Sequence, residues 1–178
     1  MDKREKIIQT AIKLFVEQGF ENTPTSQISQ ASGVATGTLF HHFKTKEDLL
    51  NESYLYVKRK MISAMQVQED KSIKEKLKKS WTSKIEYGKK NPLQVKFTVL
   101  FSDSQYITKK TQSEGVKIFQ PFTNIFQQGI KEKTLKALPQ EILISTYYSI
   151  LKGVFCSKNP DSKTISLGFE MAWDALKK

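Results

Sequence analysis

The stretch ASGVATGTLFHHFKTKEDLL, residues 31–50, decides how this chain is read. It holds Gly33 and Gly37, the adjacent His41 and His42, a group of hydroxyls and Lys46. Leu39, Phe40 and Phe43 stand at helical spacing inside it, so an apolar edge runs through a segment otherwise rich in polar groups. Three uses of such a segment are open: a histidine catalyst, a metal site, or a surface shaped to meet a partner.

The first two fail on elementary grounds. Adjacent residues on a helix point in different directions, and no Cys or acidic residue stands at ligand spacing from His41 and His42. No nucleophile with an orienting partner can be picked out. The chain is therefore read as a non-enzyme with no metal and no cofactor.

The surface reading has a physical basis. A short helix over 25–32, after Pro24, and another over 36–42 are joined by three or four residues centred on Gly33. This is the arrangement of a helix-turn-helix, whose second helix enters the major groove of DNA. Ile28, Val34 and Leu39 supply the contacts that hold the two helices at a steep angle. Ser29 is small where they cross, and Gly33 can take the backbone conformation of the turn. With those contacts inward, Thr36, Thr38, His41 and His42 can point outward. Gly37 allows close approach, and the helix N-terminus offers unpaired N–H groups to a phosphate.

Length and composition agree with a small helical protein. The 178 residues allow one ordinary domain, or a small and a medium module sharing a core, and 38% hydrophobic residues suffice to build it. The net charge of +11 is unevenly placed. Residues 1–50 carry six Lys or Arg against six Asp or Glu, so the excess lies wholly in residues 51–178. Those cations are nearly all lysines scattered over helices, which reads mostly as solvated surface, with attraction to DNA or an anionic ligand as the sharper alternative.

The single cysteine, Cys156, excludes an intramolecular disulfide framework and suits a reducing compartment. Among Tyr147, Tyr148, Val154 and Phe155 it reads as a small packed residue. Gln9, Thr10 and Lys13 interrupt the apolar run at the N-terminus, against a signal peptide. The most apolar window, 142–151, is far too short for a membrane span. The expectation is a soluble, cytoplasmic protein with no membrane partner.

Elsewhere the helical period continues. Ile8, Ala11, Ile12 and Phe15 mark a first helix closed by Gly19. Thr45 caps a long helix through Leu49, Leu50, Tyr54, Val57, Met61 and Met65, and Ser72 opens a basic one to about residue 87. Asn91-Pro92 starts the next. A weaker region, 102–114, precedes a helix through Val116, Phe119, Phe122 and Phe126, in which Pro121 predicts a kink or break. Leu138-Pro139 opens a helix to about residue 157, and Asn159-Pro160-Asp161 separates it from the last. The class is all-α, with about nine helices.

The segment GFENTPTSQISQASGVATGTLFHHFKTKEDLL resembles the DNA-binding domain of the TetR family of bacterial transcriptional repressors. The likeness covers residues 4–50. It consists of a glycine-aromatic pair closing the first helix, Thr-Ser opening the second, Gly-Val in the turn, Gly-Thr-Leu in the third, His-Phe ending it and Lys-Glu opening the fourth. The resemblance implies a three-helix, N-terminal helix-turn-helix domain over 1–46 and a helical effector-binding and dimerisation domain over 47–178. It also implies DNA contacts at Thr25, Ser26, Thr36, Gly37, Thr38, Phe40, His41, His42 and Lys46, mostly to phosphates, with base edges near residues 36–38. Phe40 and His41 depart from frequent tyrosines, and Ser29 and Ser32 from usual alanines.

Two further expectations concern the remaining residues. Apolar stripes on the last two helices, Leu143, Tyr147, Ile150, Leu151 and Val154 on one and Phe169, Ala172, Trp173 and Leu176 on the other, are candidates for a homodimer four-helix bundle. The alternative is that both stripes serve the monomer's own core. The resemblance implies an effector pocket for an unidentified small molecule, with Trp81, Phe97, Phe101, Tyr106, Phe119, Phe122, Phe126 and Tyr148 as its aromatic candidates. The function so implied is a homodimeric repressor released from a pseudo-palindromic double-stranded operator by that effector. Its rivals are an effector-independent architectural or nucleoid-associated DNA-binding protein, and an all-α enzyme or adaptor.

Overall fold

Helix caps and apolar periodicity place the elements. The computed structural model describes residues 2–65, 71–157 and 160–178. Among these, nine α-helices follow in order: α1 Lys3–Gln18, α2 Thr25–Ser32, α3 Thr36–His42, α4 Lys46–Met65, α5 Ile73–Lys90, α6 Pro92–Ser102, α7 Lys109–Lys131, α8 Gln140–Cys156 and α9 Ser162–Leu176. One isolated antiparallel bridge, Leu135 to Lys177, is the only β pairing among them.

Several starts are written in side-chain chemistry. The Asp48 amide donates to Thr45 Oγ1 at 3.0 Å while the Thr45 amide donates back to Asp48 Oδ2 at 3.1 Å, a reciprocal box at the head of α4. Ser72 and Glu75 repeat the device at the head of α5. Asp161 accepts from the Thr164 amide and caps α9. At the other end of α1 the Gly19 amide donates to the Phe15 carbonyl with φ at +88°. The buried Thr23 hydroxyl then bonds the Gly19 carbonyl at 2.8 Å, supplying a donor for the end of the helix.

The chain divides into two compact units, Met1–Lys60 with Gly88–Ile118, and Met61–Tyr87 with Phe119–Lys178. The boundaries between these units fall within α4, α5 and α7. In the first unit α2, α3 and α6 all pack on α1. Ile7, Ile8, Ile12 and Phe15 of α1 are buried with Ile28, Leu39, Leu49, Leu50, Phe97 and Phe101. Phe15 stacks on Phe97 at 6.3 Å, and Phe20 meets Phe97 and Phe101 edge-on at 6.0 and 5.8 Å. Each such ring contributes about 1.5–3 kcal/mol by leaving water. That is why α6 belongs with the helix-turn-helix in packing.

In the second unit α8 packs along α9. The crossing is close at Gly168, where a side-chain carbon would collide with Val154 and press within 3.1 Å of Trp81. Trp81 lies beneath, its indole N–H donating to the Ile165 carbonyl at 3.0 Å and its ring 5.3 Å from Tyr147 and 5.9 Å from Phe169. The Tyr147 hydroxyl donates to the Leu77 carbonyl at 3.0 Å.

Three expectations are corrected here. The helix read as beginning near Val116 starts at Lys109 and runs without a break through Pro121. Pro121 and Lys117 are both exposed, so the carbonyl deprived of its i+4 amide lies on the hydrated side of the helix. Val116, read as apolar face, is 71% exposed. The stripes on the last two helices are largely internal: Leu143, Tyr147, Leu151, Phe169, Ala172 and Leu176 are buried within this chain, while Ile150, Val154 and Trp173 are only half-buried. The apolar side chains that α8 and α9 do expose include Ile142, Leu167 at 57% and Met171 at 64%. The Cys156 side chain and Asn159 lie outside the described residues.

Candidate nucleic-acid interface

The reading helix is held from behind and open in front. Gly33 closes α2 in the left-handed conformation, φ +64° and ψ +33°, its amide donating to the Gln30 carbonyl and the next amide, of Val34, to Ser29. That turn brings Ile28 of α2 and Leu39 of α3 into the core, both fully buried. Ser29 and Ser32 are buried as well, and their hydroxyls are satisfied within α2, Ser29 on the Thr25 carbonyl at 3.0 Å and Ser32 on the Ile28 carbonyl at 2.7 Å. Small size keeps the crossing close and local hydrogen bonding removes the penalty of a buried hydroxyl.

None of the nine residues singled out for DNA is buried. Ser26, Thr36, Gly37, Phe40 and His41 are exposed, while Thr25, Thr38, His42 and Lys46 are half-buried. They fall at two helix starts and along one short helix. Neither α2 nor α3 has a side-chain cap at its N-terminus, where Pro24 and Ala35 stand. In α3 the first amide bonded to a backbone carbonyl is that of Thr38, to Ala35 at 2.9 Å. The amides ahead of it are donors of the kind a phosphate accepts. Phe40 is 40% exposed, an apolar ring on the same short helix as the hydroxyls.

Lys46 is placed differently from a free surface cation. Its ammonium donates to the Glu21 carbonyl at 3.1 Å, joining the start of α4 to the turn between α1 and α2. One ammonium carries three donors, so this bond and a phosphate contact are compatible. Sequence reasoning missed several supports of the same region. Arg4 stands over the Phe43 ring at 5.3 Å while pairing with Glu52 at 2.6 Å. Lys6 reaches the turn, its Nζ 3.5 Å from where a Cβ on Gly33 would lie. Asn51, buried on α4, donates to the Tyr106 carbonyl at 2.9 Å and accepts from the Thr108 amide at 3.1 Å. Spacing along the chain carried no signal for these, because their partners are remote in sequence.

The eight aromatic residues expected around a ligand are divided between the two units. Phe97, Phe101 and Tyr106 lie in the first unit, packed with Phe15, Phe20 and Tyr54. Trp81, Phe122, Phe126 and Tyr148 lie in the second, around Tyr147, and Phe119 is buried in the same unit. Each unit needs its own core, and aromatic count alone could not apportion them. A groove of about 380 Å³ lies elsewhere in the second unit, among Ile130, Lys133, Leu135, Lys136 and Leu138. Among the described residues no three His, Cys, Asp or Glu side chains converge, and no helix is long and apolar enough to cross a membrane.

Comparison with known proteins covers the same ground. Residues 7–53 match the family model described as bacterial regulatory proteins, tetR family. The chain is 38% identical over 82 residues to the uncharacterised HTH-type transcriptional regulator YerO of Bacillus subtilis, a stretch that is 44% of this chain and 28% of that protein. It is 39% identical over 51 residues to the HTH-type transcriptional regulator AcrR of Shigella flexneri, 29% of this chain and 24% of AcrR. These alignments thus span about a quarter of the curated relatives. Among solved structures, a tetR family transcription regulator from Shewanella sp. PV-4 superposes over the whole of both chains with TM-score 0.87 and 29% identity. One from Marinobacter aquaeolei VT8 covers 99% of this chain and 96% of its own, with TM-score 0.91 and 23% identity. Residues 7–53 therefore belong to the tetR family of bacterial regulatory proteins, and the chain as a whole shares the all-α fold of solved tetR family regulators.

Proposed function

We propose that this protein is a homodimeric transcriptional repressor that binds a pseudo-palindromic operator and is released by a small-molecule effector. The observation that carries the reading is the outward face of α3. Thr36, Gly37 and His41 are exposed beside half-buried Thr38 and His42, while Leu39 anchors the helix to the core. Hydroxyls, imidazoles and uncapped amides are phosphate and base-edge ligands, and they need no net positive charge in residues 1–50.

Pairing supplies the affinity that one small headpiece lacks. Two copies would set their reading helices about one DNA turn, roughly 34–36 Å, apart. The apolar side chains left exposed on α8 and α9, Ile142, Leu167 and Met171, support a second copy there, with Ile150, Val154 and Trp173 at the margin. The division of labour follows residues 1–46 for DNA and 47–178 for effector and dimerisation.

Release by an effector is linkage: a ligand that prefers wrongly spaced headpieces weakens operator binding, typically by about 1–3 kcal/mol. Helix α4 begins at Lys46 beside the DNA face and leads into the second unit, so it is the proposed lever. The FadR regulator of Bacillus subtilis, which shares the fold with TM-score 0.75 at 19% identity, was solved with stearoyl-CoA, so the fold can hold such a molecule. Selection of bound duplexes from a random pool tests the reading. A two-fold-symmetric consensus is expected, and indifference to every duplex at low salt rejects it.

A further inference from the structure

We propose that Lys6 carries the DNA-binding surface beyond the reading helix, its ammonium taking a backbone phosphate of the duplex beside the turn that leads into α3. This deepens the DNA-binding reading above and rests on it.

The consecutive charged residues Arg4, Glu5 and Lys6 of α1 part company in space. Arg4 turns to α4, pairing with Glu52 at 2.6 Å while it covers the Phe43 ring. Glu5 turns to α4 as well, accepting from the Tyr56 hydroxyl and pairing with Lys60 at 3.3 Å. Successive side chains step round a helix by about 100°, so Lys6 is carried to another side. There its ammonium stands 3.5 Å from where a side-chain carbon on Gly33 would lie. The turn that Gly33 makes ends at Thr36, where α3 begins. The cation therefore borders the face that presents Thr36, Gly37 and His41.

That ammonium holds nothing in the fold. Lys6 is exposed, and among the described residues its side chain enters no ion pair and no hydrogen bond. Asp2, one turn earlier, has the spacing for a pair that is not made. Residues 1–50 carry no net charge, so phosphate binding there depends on where cations stand and not on how many there are. Arg4 is neutralised by Glu52, and Lys46 already gives one donor to the Glu21 carbonyl. Lys6 keeps its full charge and all three donors. A compact charge on a flexible stem suits a phosphate, which fixes position without conveying sequence. A carboxylate would also be drawn to a lone ammonium. The duplex is favoured because Lys6 continues the row of hydroxyls and uncapped amides on α2 and α3.

The test measures binding of the full-length protein to a mixed-sequence duplex about three helical turns long, over a range of salt concentrations. Wild type is compared with Lys6→Ala, Lys6→Arg and Lys152→Ala, the last removing an exposed lysine of α8 as a control. Lys6→Ala should flatten the dependence of log affinity on log salt by about one unit for each headpiece on the duplex. Lys6→Arg should restore the slope, Lys152→Ala should keep it, and all three should melt as wild type does. Ethylation interference locates the contact. One phosphate whose ethylation weakens wild type should cease to matter for Lys6→Ala, while those met by α3 go on mattering. An unchanged slope in Lys6→Ala, no rescue by Lys6→Arg, an equal loss in Lys152→Ala, or a melting temperature that falls together with binding overturns the proposal. If wild type binds the duplex and Lys6→Ala keeps its slope, the Lys6 contact falls and the DNA-binding reading stands. If wild type ignores every duplex at low salt, both fall.

Discussion

The Lys46 ammonium lies 3.1 Å from the carbonyl oxygen of Glu21, so the first residue of α4 is tied to the turn that leads into α2. The same side chain is one of those proposed to meet a phosphate. Lys46→Ala should therefore weaken binding to all duplexes alike and flatten the salt dependence by about one unit of slope. Thr38→Ala should instead change which bases are preferred. Binding isotherms at several salt concentrations, on operator and random duplexes, check both.

Gly168 sits where α8 and α9 cross. Gly168→Ala should destabilise the protein by about 1–3 kcal/mol, because the added methyl drives into Val154 with Trp81 close behind. Shrinking the neighbour should relieve this: Gly168→Ala with Val154→Ala should melt higher than additivity allows. Urea unfolding of the two single variants and the double variant measures the coupling.

Met171 and Leu167 expose more than half of their surface on α9. Met171→Glu is expected to leave the chain's own fold intact while driving a dimer to monomers. Sedimentation velocity reads the assembly directly. Operator affinity should fall with it, since two half-sites would no longer be engaged by one particle.

Asn51 stitches the segment between α6 and α7 to α4 through the Tyr106 carbonyl and the Thr108 amide. Asn51→Ala strips both partners of their bonds and should cost about 1–3 kcal/mol. Asp restores the acceptor for Thr108 but not the donor for Tyr106, so Asn51→Asp should fall between. Hydrogen exchange at the Thr108 amide should rise in the alanine variant before global stability is lost.

Glu5 accepts a hydrogen bond from the Tyr56 hydroxyl at 2.5 Å and pairs with Lys60 at 3.3 Å. Tyr56 first, then Lys60, holds the Glu5 carboxyl below its ordinary range. A depressed carboxylate stabilises the fold above the unfolded pKa, and that contribution is lost as pH falls through the folded one. Tyr56→Phe should return the Glu5 titration upward and lessen the acid-side loss of stability traceable to it. Carbon-detected NMR titration of Glu5 gives the answer.

The helix-turn-helix was legible because its determinants are local: a left-handed Gly33, two short apolar periods and uncapped starts all lie within 23 residues of one another. Pro121 misled because a proline's cost depends on which side its orphaned carbonyl faces, and Lys117 faces water. The stripes on α8 and α9 were real, but periodicity does not say whether a stripe meets its own chain or another. Lys84 was invisible for the opposite reason. A lysine on a basic helix reads as solvated, and only long-range packing with α7 and α8 reveals that it turns inward.

Phe20, between α1 and α2, is ringed by Phe97, Phe101 and Tyr106 from α6 and the residues after it. Cutting the gene after residue 50 would strand that ring against water and leave Phe15 without its stacking partner. Anyone grafting this reader onto another protein must carry residues 88–118 along with it. For the same reason, natural exchange of headpieces between such regulators would have to preserve a matching aromatic socket.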